Sequence, residues 1–252
     1  MPWDPVVYER FAAQRARPFV DLLSRLPDDL APQRVLDAGC GTGRTTRKLA
    51  ERYPEAEVLG VDASAEMLEG TARTAPSTRF EQGDLTTWEP KVAQDLVVSN
   101  AVLHWLGDPA TAALRTATWV RPSGWLALQV PDNFDAPSHR AVRDTAANPA
   151  WRDRMPQGPA QPLDLGTVRD RLLDDGWLVE AWRTTYHHVL PPGGVLEWLR
   201  GTTLRPYLAA AGDDAPAFEA ALAERLAAAY PEAGDRVVFP FSRVFLVAQA
   251  PA

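Results

Sequence analysis

The chain has 252 residues, of which 46% are apolar and 23% charged, and its formal net charge is −7. These fractions are typical of an ordinary globular protein and exclude a disordered, collagenous or coiled-coil chain, while the acidic balance argues against a general nucleic-acid binder. The longest apolar run is five residues, and Asp4 and Glu9 stand where a secretory signal would be basic and apolar. We therefore expect a cytoplasmic protein that does not bind membranes.

Short β-rich runs alternate with helical patterns along the chain. The runs that predict strands are 34–37, 57–62, 78–81, 94–99, 125–130, 178–190 and 237–248. Helices are predicted over 42–52, 64–72, 109–120 and 164–175, the second capped by Ser64 and the last closed by Gly176. Four prolines predict a loop-like or mobile segment over 148–166.

The alternation of strands and helices predicts an α/β fold with a mostly parallel, Rossmann-like sheet. Between the last two strands, Phe218, Leu222 and Leu226 recur at every fourth position, which indicates helix. We expect residues of about 191–232 to form a helical lid over the carboxyl ends of the strands. We therefore predict three segments. Residues 1–30 form a helical cover, residues 31–134 form a cofactor-binding core, and residues 135–252 complete the sheet and contain the lid.

The run VLDAGCGTG, residues 35–43, is the most informative stretch of the sequence. Its three glycines let the chain turn sharply and bring backbone N–H groups against a ligand. Arg44 stands where a dinucleotide-binding G-x-G-x-x-G motif would have its last glycine, and the lysine of a P-loop is absent. The sequence therefore argues against both a dinucleotide-binding motif and a phosphate-binding P-loop.

Acidic residues stand at the ends of three predicted strands. Asp62 is placed to accept the two ribose hydroxyls of an adenosine group. Asp84 is placed to accept from an adenine amino group, and Asp37 is suited to neutralise the ammonium of an amino-acid moiety. Three acidic strand ends in register are a stronger signal than a single glycine loop.

The runs DAGCGTG, VDAS, QGDLTTW and VVSNAVLHWL resemble the class I S-adenosylmethionine-dependent methyltransferases over about residues 30–130. The resemblance implies S-adenosyl-L-methionine (AdoMet) as cofactor. It also implies a seven-stranded sheet with an antiparallel last strand, which suits the two late strands. By the family's pattern, the residues that would line the cofactor are Asp37, Gly39, Gly41, Asp62, Ala63, Met67, Asp84, Leu85 and Asn100.

Longer pieces of the chain resemble a narrower group, the trans-aconitate 2-methyltransferases. These are WDPVVYERFAAQRARPFVDLL, LQVPDNFDAPSH, VEAWRTTYHHVLP, EWLRGTTLRPYL and FPFSRVFLVA, which together run over nearly the whole chain. The resemblance implies esterification of one carboxylate of a small polycarboxylic acid, with trans-aconitate as the expected acceptor. It also suggests that an N-terminal helix covers the site, with Tyr8 and Phe11 facing inward.

A desolvated polycarboxylate requires cationic or strong hydrogen-bonding partners. Among the arginines outside the cofactor motifs, we expect Arg183, Arg205 and Arg243 to bind carboxylates, with Arg15 and Arg17 as further candidates. The residues expected to add hydrogen bonds or pocket wall are Tyr8, Tyr186, His187, Trp198, His104 and Trp105. His187 and His188 alternate along a strand, so only one of them can face inward.

The proposed chemistry requires little of the protein beyond positioning. A carboxylate, whose reference pKa is about 4, is already ionised at neutral pH, so we expect no catalytic acid–base residue and no metal ion. Displacement at the methyl group would be accelerated by proximity, alignment and exclusion of water. Two alternatives remain open: methylation of another carboxylate, such as a carrier-bound malonyl group, and a non-catalytic AdoMet-binding regulator.

Overall fold

The computed structural model describes residues 11–69, 78–156 and 160–252. Its helices are α1 (Ala12–Leu23), α2 (Arg44–Arg52), α3 (Ala65–Leu68), α4 (Pro109–Ala117), α5 (Pro137–Ala146), α6 (Leu165–Asp174), α7 (Gly194–Arg200), α8 (Arg205–Ala211) and α9 (Ala215–Ala229). The strands are β1 (Arg34–Ala38), β2 (Glu57–Asp62), β3 (Arg79–Gln82), β4 (Gln94–Asn100), β5 (Val120–Pro131), β6 (Leu178–Leu190) and β7 (Val237–Gln249). Short 3₁₀ turns lie at Leu103–Trp105, Arg152–Arg154 and Gly212–Asp214.

The seven strands form one sheet in the order β3-β2-β1-β4-β5-β7-β6. Strands β1 to β5 pair in parallel with their neighbours, and β7 is antiparallel to β5. The strand order reverses between β1 and β4, and open α/β sheets bind ligands beyond the carboxyl ends of the strands at such a point. The prediction of a seven-stranded, mostly parallel sheet with a late antiparallel strand is confirmed.

The described residues fall into two compact units, each with its own apolar core. The sheet unit comprises residues within 18–131, 160–183 and 243–252. On one face of its sheet, Leu36, Val97, Leu126 and Leu246 come from four strands and are fully buried. Partners from α4 and α6 complete this core, as expected for a parallel sheet covered by crossover helices.

The helical unit comprises residues within 1–17, 132–159 and 184–242. Helix α9 buries Phe218, Leu222 and Leu226, so the four-residue repeat does mark an apolar helix face. The ring of Phe218 lies 5.5 Å from that of Trp151, in an edge-on arrangement that aromatic pairs favour. The helical character predicted between the last two strands is confirmed by α7, α8 and α9. The lid role and the three-segment organisation stay predictions.

The structure confirms the helix cap predicted at Ser64, and it contains one helix that the sequence did not predict. The Ser64 hydroxyl accepts a hydrogen bond from Met67 N at 3.2 Å and caps α3, which ends at Leu68. Residues 70–72 of the predicted helix lie outside the described ranges. Helix α5 was not predicted, because it begins after Ala136, whose side chain cannot cap a helix. Within the described ranges, no helix is long and apolar enough to cross a membrane.

Candidate functional site

The glycine loop between β1 and α2 adopts backbone conformations that favour glycine. The φ angles of Gly39, Gly41 and Gly43 are +83°, +55° and +76°. A Cβ atom on Gly39 would lie 2.4 Å from the side chain of Val102, so a larger residue at this position would force Val102 to move. The loop is fixed to β2, because Gly39 N donates to the Val61 carbonyl at 2.8 Å.

Asp62, the last residue of β2, connects the glycine loop with the start of α3. Its Oδ2 accepts from Gly41 N at 2.8 Å, and its Oδ1 accepts from Ser64 N at 2.9 Å. Each carboxylate oxygen can accept a second hydrogen bond. The side chain therefore shapes the loop and retains the capacity to accept from a diol.

Asp37 is the most perturbed carboxyl group of the site. It is fully buried, and its Oδ2 accepts from the hydroxyls of Thr45 and Thr46 at 2.8 and 2.7 Å. Burial raises the pKa of Asp37 to about 6, against the lowering effect of the two threonine hydroxyls, and the nearby Asp62 raises it further. Its Oδ1 is buried and accepts no hydrogen bond in the part of the chain that the structure describes.

Asn100, at the end of β4, supplies a second buried acceptor. Its Oδ1 accepts no hydrogen bond from the described residues. The next residue, Ala101, has a φ of +59°, a conformation that costs energy for a residue with a Cβ atom. Ala101 is held there by its N–H, which donates to the Gln129 carbonyl at 2.8 Å.

The other predicted cofactor residues surround the ends of β2 and β3. Leu85 is buried, Met67 is half-buried, and Ala63 is exposed. Asp84 is exposed, and its Oδ1 accepts from the N–H and the hydroxyl of Thr86 at 2.9 and 2.8 Å. These two hydrogen bonds hold the pKa of Asp84 below its usual value. Its predicted contact with an adenine amino group stays a prediction.

The chemistry of this site fits AdoMet. An ammonium group needs hydrogen-bond acceptors, and the free oxygens of Asp37 and Asn100 are buried acceptors. A methionyl carboxylate needs donors, but the N–H groups of Gly39, Cys40 and Gly41 already donate to the Val61 carbonyl and to Asp62, so the fit rests on the acceptors. A ribose diol needs an acceptor such as the Asp62 carboxylate. The individual contacts with the cofactor stay predictions.

Four of the residues predicted to bind the acceptor belong to the sheet unit. His104 is buried in the 3₁₀ turn after β4, where its carbonyl accepts from Gln161 N at 2.8 Å. Trp105 is 44% exposed, and Arg183 is exposed. Arg243 is only 7% exposed, and its Nη1 donates to Gln129 Oε1 at 3.3 Å.

The remaining predicted acceptor residues belong to the helical unit, except Tyr8, which lies outside the described residues. Arg205 and His187 are exposed, whereas His188 is buried beside the half-buried Tyr186. Of the two neighbouring histidines, the structure thus buries the one that was not selected from the sequence. The roles of these residues in acceptor binding stay predictions.

Trp198 is the centre of an aromatic cluster in the helical unit. It is 1% exposed, with His188 stacked on its ring at 4.6 Å and Phe11 at 5.3 Å. The Arg15 guanidinium lies 4.9 Å from the centre of the same ring, a cation–π distance, and Nη2 of Arg15 donates to the Trp198 carbonyl at 3.1 Å. Gly201 makes room for it, because a Cβ atom there would lie 2.9 Å from Nη2.

Sequence reasoning missed Gln129, which is buried, and His139, which is half-buried. Gln129 interrupts an otherwise apolar stretch of β5 and is 1% exposed. A polar residue in the middle of a buried strand is the signal that could have identified it. His139, on α5, gave no such signal, because its helix was not predicted. Burial and the nearby Arg143 lower the pKa of His139 to about 4.

Comparison with known proteins identifies the family to which this chain belongs. A family model described as a methyltransferase domain matches residues 8–212. Among curated proteins, the trans-aconitate 2-methyltransferases of Methylobacterium nodulans and Azoarcus sp. are 43% and 44% identical to this chain, each over 98% of both chains. That of Streptomyces coelicolor is 43% identical over 99% of this chain and 87% of its own.

Solved structures share the fold at low sequence identity. The YcgJ protein of Bacillus subtilis has a TM-score of 0.63 at 16% identity, covering 94% of this chain and 99% of its own. An S-adenosylmethionine-dependent methyltransferase of Mesorhizobium loti has a TM-score of 0.51 at 22% identity, covering 93% and 97%. The chain belongs to the class I AdoMet-dependent methyltransferases, in the family of the trans-aconitate 2-methyltransferases.

Proposed function

We propose that this protein is a cytoplasmic carboxyl O-methyltransferase that converts trans-aconitate into a monomethyl ester. Relatives with that printed name match it over nearly their whole length. Substrate choice can change within one fold, so the proposal also needs support from the residues of the site.

The observation that carries the proposal is the buried guanidinium of Arg243. On β7, this residue pairs with Pro131 at the carboxyl end of β5. Asp37, Asp62 and Asn100 lie near the same ends of β1, β2 and β4. A guanidinium at the ligand-binding end of the sheet favours an acceptor that carries carboxylates.

The side chains of the site have binding and positioning roles in this proposal. Bound AdoMet supplies an electrophilic methyl group on its sulfonium. Asp37 and Asn100 offer acceptors to its ammonium, and Asp62 holds the glycine loop. The acceptor carboxylate is ionised at neutral pH, so His104 has no proton to remove from it. In this proposal His104 lines the acceptor site and does not act as a base. Alignment and exclusion of water then determine the rate.

The proposal is tested with purified protein, methyl-labelled AdoMet and a panel of di- and tricarboxylic acids that includes a malonyl thioester. We expect trans-aconitate to be the preferred acceptor, giving a product one methyl group heavier that base hydrolyses. A base-stable product would rule out an ester. Preference for the malonyl thioester would replace the small acid by a carrier-bound substrate, and the absence of methyl transfer to every acid would refute the proposed activity.

A further inference from the structure

The amide of Gln129 is held in one orientation by its neighbour. Arginine can only donate hydrogen bonds, so the bond from Arg243 Nη1 at 3.3 Å identifies the accepting atom of Gln129 as its oxygen. The amide nitrogen Nε2 carries two donor hydrogens, is buried, and donates to no described residue. A buried donor without an acceptor is costly, and it is rare in native proteins unless a ligand or water occupies it.

Strand register shows which groups share a face of the sheet with this donor. Gln129 pairs with Asn100 on β4. On β7, Gln129 pairs with Phe245 and Pro131 pairs with Arg243. Directly paired residues point to the same face, as do residues two apart along a strand. Asn100, Gln129 and Arg243 therefore lie on one face.

Asp37 extends this row on the other side. It pairs with Val98, which is two residues before Asn100 on β4, so Asp37 also belongs to this face. Across β1, β4, β5 and β7, the face thus carries Asp37, Asn100, Gln129 and Arg243, in that order. We call these four residues the polar row.

Along the polar row, the side chains change from hydrogen-bond acceptors to hydrogen-bond donors. Asp37 and Asn100 present buried oxygens, which accept hydrogen bonds and suit a cation. Gln129 presents N–H groups and Arg243 a guanidinium, which donate and suit an anion. A site that transfers a methyl group from a sulfonium amino acid to a carboxylate requires both kinds of group side by side.

We propose that Gln129 is an acceptor-binding residue, whose Nε2 donates to a carboxylate of the substrate while Arg243 fixes the orientation of the amide. This inference rests on the proposed function, because that function supplies the carboxylate. The carboxylate of the cofactor itself is the competing acceptor for Nε2, and the experiment separates the two.

The test replaces Gln129 by Met, which keeps the length of the side chain and removes both N–H donors. Trans-aconitate is titrated calorimetrically into protein saturated with S-adenosylhomocysteine, so the readout needs no turnover. We expect the Kd for trans-aconitate to rise by about ten- to a hundredfold, as for loss of a hydrogen bond to a charged group. The Kd for AdoMet should change less than twofold, and KM for trans-aconitate should rise more than kcat falls.

Gln94→Met is the matched control. Gln94 is a second buried glutamine, on β4, but its Nε2 is satisfied by the Val92 carbonyl at 2.6 Å and it lies at the opposite end of the strand from Asn100. We expect this variant to lose stability without a change in either Kd. Gln129→Glu, which keeps an oxygen for Arg243, should weaken acceptor binding more than Gln129→Met because it places an anion against the substrate.

Each failure has its own signature. Equal weakening of AdoMet and trans-aconitate binding by Gln129→Met would assign the donor to the cofactor, and unchanged binding of both would remove Gln129 from the site. If wild-type protein binds and methylates a different acid of the panel, the proposed function fails. The role of Gln129 is then tested by comparing the affinities of wild type and Gln129→Met for that acid. If wild-type protein binds no acid of the panel, both proposals fall.

Discussion

The sheet unit and the helical unit bury polar groups in different ways. In the sheet unit, the acidic residues of the cofactor motifs stand at strand ends and bond within those motifs, as Asp62 does with Gly41 and Ser64. In the helical unit, the Arg15 guanidinium and the His188 ring both lie against Trp198, which is distant from Arg15 in the chain. Short sequence motifs can specify the first arrangement, whereas the second depends on packing between distant segments.

The largest expected effect is on the stability of the helical unit. Trp198→Ala removes a fully buried ring that contacts Phe11 and His188. We expect it to lower the free energy of unfolding by about 3–5 kcal/mol, measured by chemical denaturation. Trp105→Ala, which removes a 44% exposed ring, should cost less than about 1 kcal/mol. Similar losses in the two variants would contradict the central role of Trp198 in its core.

The next effect concerns cofactor binding by the sheet unit. Asp62→Ala frees the backbone N–H groups of Gly41 and Ser64 and removes the acceptor predicted for the ribose. We expect the Kd for AdoMet to rise by about a hundredfold, or about 2.7 kcal/mol, measured by calorimetry. Glu66→Ala removes an exposed carboxylate only four residues away and should leave the Kd unchanged. A less than threefold effect of Asp62→Ala would exclude Asp62 from the cofactor site.

Two glycines of one loop should differ when each is changed to alanine. Both have positive φ angles, but a Cβ atom on Gly39 meets Val102 at 2.4 Å, whereas one on Gly41 meets nothing within 4 Å. We expect about 1 kcal/mol of conformational strain for Gly41→Ala and about 2 kcal/mol more for Gly39→Ala, measured as free energies of unfolding. Equal losses would show that Val102 moves aside without cost.

The smallest expected effect is the net pH dependence that Asp37 and His139 together give to wild-type stability, because their contributions change with pH in opposite directions. The pKa of Asp37 is raised to about 6 on folding, so its contribution is present below pH 3.8 and is lost as pH rises through about 6. The pKa of His139 is lowered to about 4, so its contribution is present above pH 6.5 and is lost as pH falls through about 4. Between pH 4 and 6.5 the two changes nearly cancel.

Single variants should expose each contribution. Relative to wild type, Asp37→Asn should make the free energy of unfolding rise with pH in this window, and His139→Gln should make it fall. Each change is on the order of 3 kcal/mol, since each pKa shift exceeds two pH units. The measurement is denaturation at several pH values. Parallel curves for wild type and both variants would show that neither group titrates abnormally.

Much of the sheet was predictable from the sequence. Strands β2 and β6 were predicted with the bounds they have in the structure, because runs of β-branched and apolar residues between turn signals have few alternatives. The glycine loop was predictable because positive φ angles restrict a position to glycine. The acidic strand ends followed from the rule that parallel strands place their carboxyl ends at one edge.

The environment of individual side chains was decided only by the tertiary structure. Period-two alternation showed that one of His187 and His188 faces inward, but the choice of His188 came from its contacts with Trp198 and Phe241. Likewise, the burial of Arg243 against Gln129 results from the antiparallel pairing of strands more than a hundred residues apart. Local composition carries no information about such partners.

The sequence alone determined the order of the elements, the glycine loop and the family, because these depend on backbone conformation and on motifs within a few residues. Only the tertiary structure decided which polar atoms are buried without a partner and which strands bring them onto one face. The physical reason is that the cost of burying a charge or a donor depends on all its neighbours in space, and most of these are distant in the chain.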